Sequence, residues 1–247
     1  MRKATANDKY FIKEGYTTAN LNFDREVRYY ASLGFDGAVW FGQGVTDETK
    51  PIYVQCKQGQ SAANQIANSW NETGIWPKKL VHFKSVVGQT SGFTKITYPF
   101  PVMRLGNLYL LYAEALNELE DGSSYDIPSW DGSASYSVKR DINEMKKGIR
   151  PVRCRAGVPD YTLPEYQDRN VFRKKLKHER QIELMGEGHR YFDLKRWHII
   201  EEIMNNFEEP TLPLYKSVFE KRFYLWPIPQ SEIDKNNGVL IQNPDYK

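Results

Sequence analysis

The run Glu179-Arg180-Gln181-Ile182-Glu183-Leu184-Met185-Gly186-Glu187-Gly188-His189-Arg190-Tyr191-Phe192-Asp193-Leu194-Lys195-Arg196-Trp197 packs acids and arginines among bulky apolar side chains more densely than a solvated helix requires. On helical spacing, Phe172, Leu176, Glu179, Arg180, Glu183 and Glu187 share one broad stripe. A stripe that begins apolar and turns ionic sends charged side chains into a core. Charges stripped of water are tolerated there only when each meets a partner, and the planar guanidinium fork suits that task. Glu179, Arg180, Glu183, Glu187, Arg190, Asp193 and Arg196 are therefore expected to form a structural ionic network.

The same run raises a catalytic alternative, because Glu179, Glu183 and Glu187 recur at four-residue steps and paired acids are what a glycosidase needs. The interleaved Arg180, Arg190 and Arg196 would hold such carboxylates ionised instead of raising a pKa for acid catalysis. No catalytic residue is predicted, and the chain reads as no enzyme. His178 and His189 would share a helix face only if Gly186 and Gly188 did not interrupt it, so no metal site is expected. No glycine-rich phosphate loop, nucleophile elbow or Cys-x-x-Cys pair occurs, and no cofactor is implied. A formal net charge of +3 is too small to argue for nucleic acid, and the cluster Arg173-Lys174-Lys175 with Lys177 reads as a solvated helix face.

Helical periodicity is concentrated after residue 100. The spacing predicts a helix over 104–120, with Leu105, Leu108, Tyr112, Ala115, Leu116 and Leu119 recurring at threes and fours, stopped by Asp121-Gly122. A second helix is expected over 137–149, with Pro151 just beyond it. Between them, residues 121–136 read as a Ser/Gly/Asp-rich surface loop carrying Tyr125, Trp130 and Tyr136. A third helix is expected to begin after Tyr161 through a Thr162–Glu165 capping box, with Pro164 in its first turn, and to run to Met185. A fourth, over 191–207, places Trp197, Ile200, Met204 and Phe207 on one face. The proline-rich tail reads as extended, with a short helical turn at Ser231–Asp234. Residues 1–100 read as long loops with extended pieces at 27–33, 51–55 and 80–87.

The domain reading is thus a loop-rich region, 1–100, and a helical region with an extended tail, 101–247. The fold class is mainly α, with little strand. The first two helices would pair as a hairpin with equivalent starts about a tetratricopeptide period apart. Cys56 and Cys154 lie far apart in sequence, and both a disulfide and two buried thiols fit. No window reaches the length of a transmembrane helix, and no apolar stretch follows Arg2-Lys3 to make a secretory signal within this chain.

An aromatic share of 14% suits either core filling or contact with carbohydrate or protein. The candidate ligand-binding residues stand in glycine- and amide-rich loops: Trp40 and Phe41 within Gly37–Gly44, Trp70 between Asn68 and Asn71, and Trp76 before Pro77. Core packing is the competing reading for each.

Five blocks in order resemble the C-terminal half of the SusD/RagB family of outer-membrane nutrient-binding lipoproteins. They are Asp24-Arg25-Glu26-Val27-Arg28-Tyr29-Tyr30-Ala31-Ser32, lacking the family's proline; Arg104 to Leu116, ending Tyr112-Ala113-Glu114-Ala115; Arg155-Ala156-Gly157-Val158-Pro159; the run 179–197; and Phe223-Tyr224-Leu225-Trp226-Pro227-Ile228-Pro229 through Gln242-Asn243-Pro244-Asp245-Tyr246. Trp197, Trp226 and Tyr112 fall inside these blocks and read as core.

The resemblance implies a tetratricopeptide-like helical fold with long irregular loops, and a chain that is the C-terminal part of a longer protein. It also implies non-catalytic capture of glycans or other nutrient oligomers at the outer membrane, for import through a SusC-type TonB-dependent transporter. The implied partners are that transporter and an oligosaccharide ligand. Membrane attachment would come only through a lipid anchor outside this chain. A helical-repeat scaffold binding a protein partner is the alternative.

Overall fold

The structure is a computed structural model describing residues 1–40, 51–60, 71, 73–87, 93–97, 99–206 and 217–246. Two compact units divide at the glycine-rich break: Met1–Gly186 and Glu187–Lys247. Within the described residues the chain is mainly α, with short strands confined to two-stranded ribbons.

The first hundred residues hold these ribbons around a small aromatic core. β1 (Arg2–Lys3) pairs with β2 (Thr17–Thr18), β3 (Leu33–Gly34) with β6 (Trp76–Pro77), β4 (Val39–Trp40) with β5 (Ile52–Tyr53), and β7 (Val86–Val87) with β8 (Phe93–Thr94), all antiparallel. The core comprises Ala4, Ile12, Phe23, Tyr30, Phe35 and Ala38, with Phe11 stacked on Tyr30 at 4.2 Å between centroids. The expected extended piece at 27–33 is instead helical: α1 spans Val27–Ser32. One helical turn sends Tyr30 into the aromatic core while Arg28 reaches the carboxylates of a distant helix.

α2 (Leu105–Glu118) buries Leu110, Ala113 and Leu116, and the chain turns extended at Leu119. The stretch expected as a loop is a regular hairpin, β9 (Ser124–Pro128) on β10 (Ser135–Lys139). Its register places Tyr125 opposite Val138 and Ile127 opposite Tyr136, so these four share one face. The period-2 alternation had been masked by the Ser/Gly/Asp content of the turn. There Asp131 accepts from the Ser129 and Ser133 hydroxyls, and Trp130 is 98% exposed.

α3 (Ile142–Arg155) begins later and runs longer than expected. The strand occupies 135–139, Asp141 caps the helix by accepting from the amides of Asn143 and Glu144, and Pro151 lies inside. Proline removes one intrahelical bond at a cost of about 3 kcal/mol. Burial of Ile149 and Val152 beside it offsets that cost. α3 crosses α2 at Gly148, where a Cβ would stand 2.4 Å from the Tyr109 carbonyl oxygen and 2.8 Å from the Ala113 methyl. Only glycine permits that approach.

The expected third helix is two. α4 (Leu163–Gln167) starts with the Glu165 carboxylate accepting the Thr162 amide at 2.6 Å. α5 (Arg169–Glu183) starts afresh at Asp168, whose side chain accepts from the amides of Asn170 and Val171. The break lets Tyr166 fold back and stack on Phe172 at 5.1 Å. The main core joins Leu110, Leu116, Met145, Ile149, Tyr166, Phe172 and Leu176.

In the second unit the expected fourth helix is also divided. α6 (His189–Arg196) and α7 (Ile200–Asn205) are separated at His198, which adopts a left-handed φ of 53°. Leu194, Ile200 and Phe219 form this unit's core, with Trp197 partly buried against it. Met204 is partly buried there too, and Phe207 lies outside the described residues. α8 (Gln230–Lys235) is the short helical turn of the tail. Trp226 is 70% exposed and Tyr112 42% exposed, so neither is core. Tyr112 instead extends its hydroxyl to Glu144 at 2.9 Å. Cys56 is half-buried, Cys154 is exposed, and both are free thiols, which overturns both readings of the pair.

Candidate functional site

Two constellations of polar and aromatic side chains stand out among the described residues. One is the ionic cluster on α5, which buries Phe172, Leu176, Glu179, Arg180 and Glu183 on a single face. Glu179 accepts from Arg28 and Arg153, each at 2.6 Å, with the Tyr161 hydroxyl at 3.4 Å. Glu183 accepts from Arg28 at 2.9 Å and Arg104 at 2.7 Å, and pairs with Arg155. The Arg28 Nε also pairs with Glu26.

Burial opposes the Arg28 charge, but the hydrogen bonds it donates to Glu26, Glu179 and Glu183 outweigh it and raise the pKa. Burial, reinforced by Glu179, likewise raises the Tyr161 phenol. Arg180 donates to Asn107 at 3.0 Å and lies 3.9 Å from Glu114. Arg104 and Lys79 additionally bond the Glu183 main-chain carbonyl at the end of the helix. Glu179 and Glu183 are 1% and 2% exposed, and each is clamped by guanidinium groups from other elements. The arrangement can tie α1, α2, α3 and α5 together.

Glu187, Arg190, Asp193 and Arg196 belong to the second unit. There Asp193 is buried and pairs with Arg196 at 2.9 Å, while Arg196 also lies over the Trp197 ring at 4.8 Å. Burial lowers the Arg190 pKa against the pull of Asp193.

The other constellation is a cleft of about 320 Å³ in the first unit. Its inner surface is Phe11, Tyr30 and Val39, and Tyr10, Trp40, Val81 and Phe83 stand around it. Tyr10 and Phe83 are 70% and 58% exposed, with Lys9 over the Tyr10 ring and the His82 ring stacked on Phe83. The Trp40 indole rests against Gly34, where a Cβ would come within 2.8 Å of the ring. The β3–β6 and β4–β5 ribbons therefore fix its orientation.

Lys78, two residues beyond Trp76, enters the cleft and donates to the carbonyls of Val39 at 2.7 Å and Tyr30 at 2.9 Å. Its ammonium lies 5.6 Å from the Trp40 ring centroid. Burial lowers its pKa to about 8. Two carbonyls use two of the three ammonium protons.

Of the four predicted binding residues, the structure places Trp40 in the cleft wall. Trp76 is half-buried and does not line the cleft. Phe41 and Trp70 lie outside the described residues. Tyr10, Phe83 and Lys78 were missed. Trp76-Pro77-Lys78-Lys79 carries no local signal beyond an extended backbone, and tertiary folding alone brings Lys78 to Trp40. Among the described residues no group of three His, Cys, Asp or Glu is placed to hold a metal, and no helix is long and apolar enough to cross a membrane.

The SusD family model matches residues 2–246, and the chain belongs to that family. SusD-like protein P2 of Formosa agariphila is 30% identical over 148 residues, which cover 58% of this chain and 25% of that protein. The solved structure of BT4246 superposes with a TM-score of 0.65 at 23% identity, over 98% of this chain and 40% of that one. A SusD-like carbohydrate-binding protein from Bacteroides fragilis gives a TM-score of 0.54 at 22% identity, over 92% and 45%. The fold is thus that of SusD-like helical proteins, and the chain spans a quarter of the curated relative and less than half of these solved structures.

Proposed function

We propose that this chain forms part of a non-catalytic glycan-binding protein of the bacterial outer membrane, which passes its ligand to a SusC-type TonB-dependent transporter. The observation that carries the reading is the cleft at Trp40, where an oriented indole and the exposed rings of Tyr10 and Phe83 flank one ammonium. Aromatic faces take up the CH surfaces of sugar rings, while a few placed donors bond hydroxyl groups. Family membership and the carbohydrate-binding relative from Bacteroides fragilis support the ligand class. Attachment to the membrane is through a lipid anchor.

Calorimetry against a panel of oligosaccharides tests this. A ligand should bind, and Trp40→Ala should weaken it by about 1–3 kcal/mol, the value of an aromatic anchor. Binding untouched by that substitution would refute the cleft, and product released during overnight incubation would refute the absence of chemistry.

A further inference from the structure

Lys78 is the charged residue among those lining the cleft. Three of its aromatic walls each carry a lysine: Lys9 lies 5.3 Å from the Tyr10 ring centroid, Lys78 5.6 Å from Trp40, and Lys84 5.8 Å from Phe83. No acid is among the lining residues, and no carboxylate pairs with any of these lysines among the described residues. The nearby acid Glu26 is occupied by Arg28.

Lys78 is held in place by neutral carbonyls instead of a counter-ion, with one proton uncommitted. A partly buried ammonium without a counter-ion is poorly compensated, and burial lowers its pKa. A ligand anion would relieve that cost and gain a charge-assisted hydrogen bond. A neutral sugar would leave the ammonium as it is.

We propose that the cleft selects oligosaccharides bearing an anionic substituent, a carboxylate or a sulfate ester, seated against Lys78, with Lys9 and Lys84 drawing it in from the rim. This rests on the glycan-binding reading above and adds the ligand's charge.

The test uses matched probes on the full chain: tetragalacturonate against its methyl ester, and a sulfated tetrasaccharide against its desulfated form. The expected result is at least about tenfold tighter binding of one acidic member over its neutral partner, the worth of one charge-assisted hydrogen bond. Whichever pair shows the preference identifies the anion. Lys78→Met should reduce that ratio to within about threefold, and Lys78→Arg should largely keep it.

If Lys78→Met does not fold, the wild-type ratio is followed from pH 7 to 9.5, where both anions stay ionised and Lys78 discharges. The other ionisable groups around it are the Tyr10 and Tyr30 phenols, the Glu26–Arg28 pair on α1, the His82 imidazole stacked on Phe83, and Lys9 and Lys84 at the rim. The ratio should fall across that range. Equal binding of acidic and neutral members, or a ratio that survives both the substitution and the rise in pH, overturns the proposal. Neutral ligands bound in a Trp40-dependent way would then leave the glycan reading standing, whereas failure of a wide neutral and acidic panel to bind would overturn both.

Discussion

Glu183→Gln is the sharpest perturbation of the architecture. The Glu183 carboxylate is 2% exposed and meets three guanidinium groups whose side chains differ in exposure: Arg28 at 10%, Arg104 at 29% and Arg155 at 62%. The exposed partner contributes little, because water screens it and holding a long side chain costs entropy, so Arg155→Ala should change stability by about 0.5 kcal/mol or less. The buried partners set the magnitude. Removing one member of a buried ion pair leaves the other uncompensated and costs about 3–5 kcal/mol.

Gln keeps the shape of Glu183 but turns an amide toward donors, so it should show most of that cost. For a chain of this size the loss lowers Tm by about 6–20 °C. The assay is urea unfolding followed by tryptophan fluorescence, reading the midpoint at constant slope. A cost below about 1 kcal/mol for Glu183→Gln, or equal costs for Arg155→Ala and Arg28→Ala, would refute the view that burial gives this cluster its strength.

Other outcomes follow from the same geometry. Gly148→Ala should destabilise by about 1–3 kcal/mol, since the new methyl meets the Tyr109 carbonyl at 2.4 Å and the two helices must part; urea midpoints check this. Asp168→Ala removes the cap of α5 and should cost about 1 kcal/mol, while Asp168→Asn should recover most of it. Lys78 titrates near 8 in the folded chain and near 10.5 when unfolded, so between those values the unfolded state binds the extra proton and stability rises with pH. With partial exposure the gain is about 1 kcal/mol, and Lys78→Met should flatten the wild-type slope between pH 8 and 10.

Much of the helical frame was legible because its signals are local. The apolar spacing of α2, the Thr162–Glu165 start of α4 and the ionic stripe of α5 each lie within one or two turns of sequence. The errors arose where a tertiary contact outweighed a local signal. Pro151 stays inside α3 because Ile149 and Val152 are buried on either side. The 163–183 stretch breaks at Asp168 because its carboxylate caps a new helix and Tyr166 turns back onto Phe172. Tyr125–Ile127 pairs with Tyr136–Val138 although its polar turn resembles a loop.

The α5 stripe carries Glu179, Arg180 and Glu183 of the ionic cluster. Arg28, Arg104 and Arg153 were not assigned to it, because separations of 26 to 155 residues carry no periodic mark. For the cleft, the glycine-rich setting singled out Trp40, one ring of its wall, whereas Tyr10, Lys78 and Phe83 are joined to it only by the folded chain.

The most direct test of the central claim is a crystal structure of this chain with the oligosaccharide it binds best. A sugar ring should lie against the Trp40 indole within the cleft of Tyr10, Lys78 and Phe83, with Glu179 and Glu183 still sealed from solvent by their arginines. A sugar bound elsewhere with that cleft empty, or one in contact with Glu179 or Glu183, would contradict it.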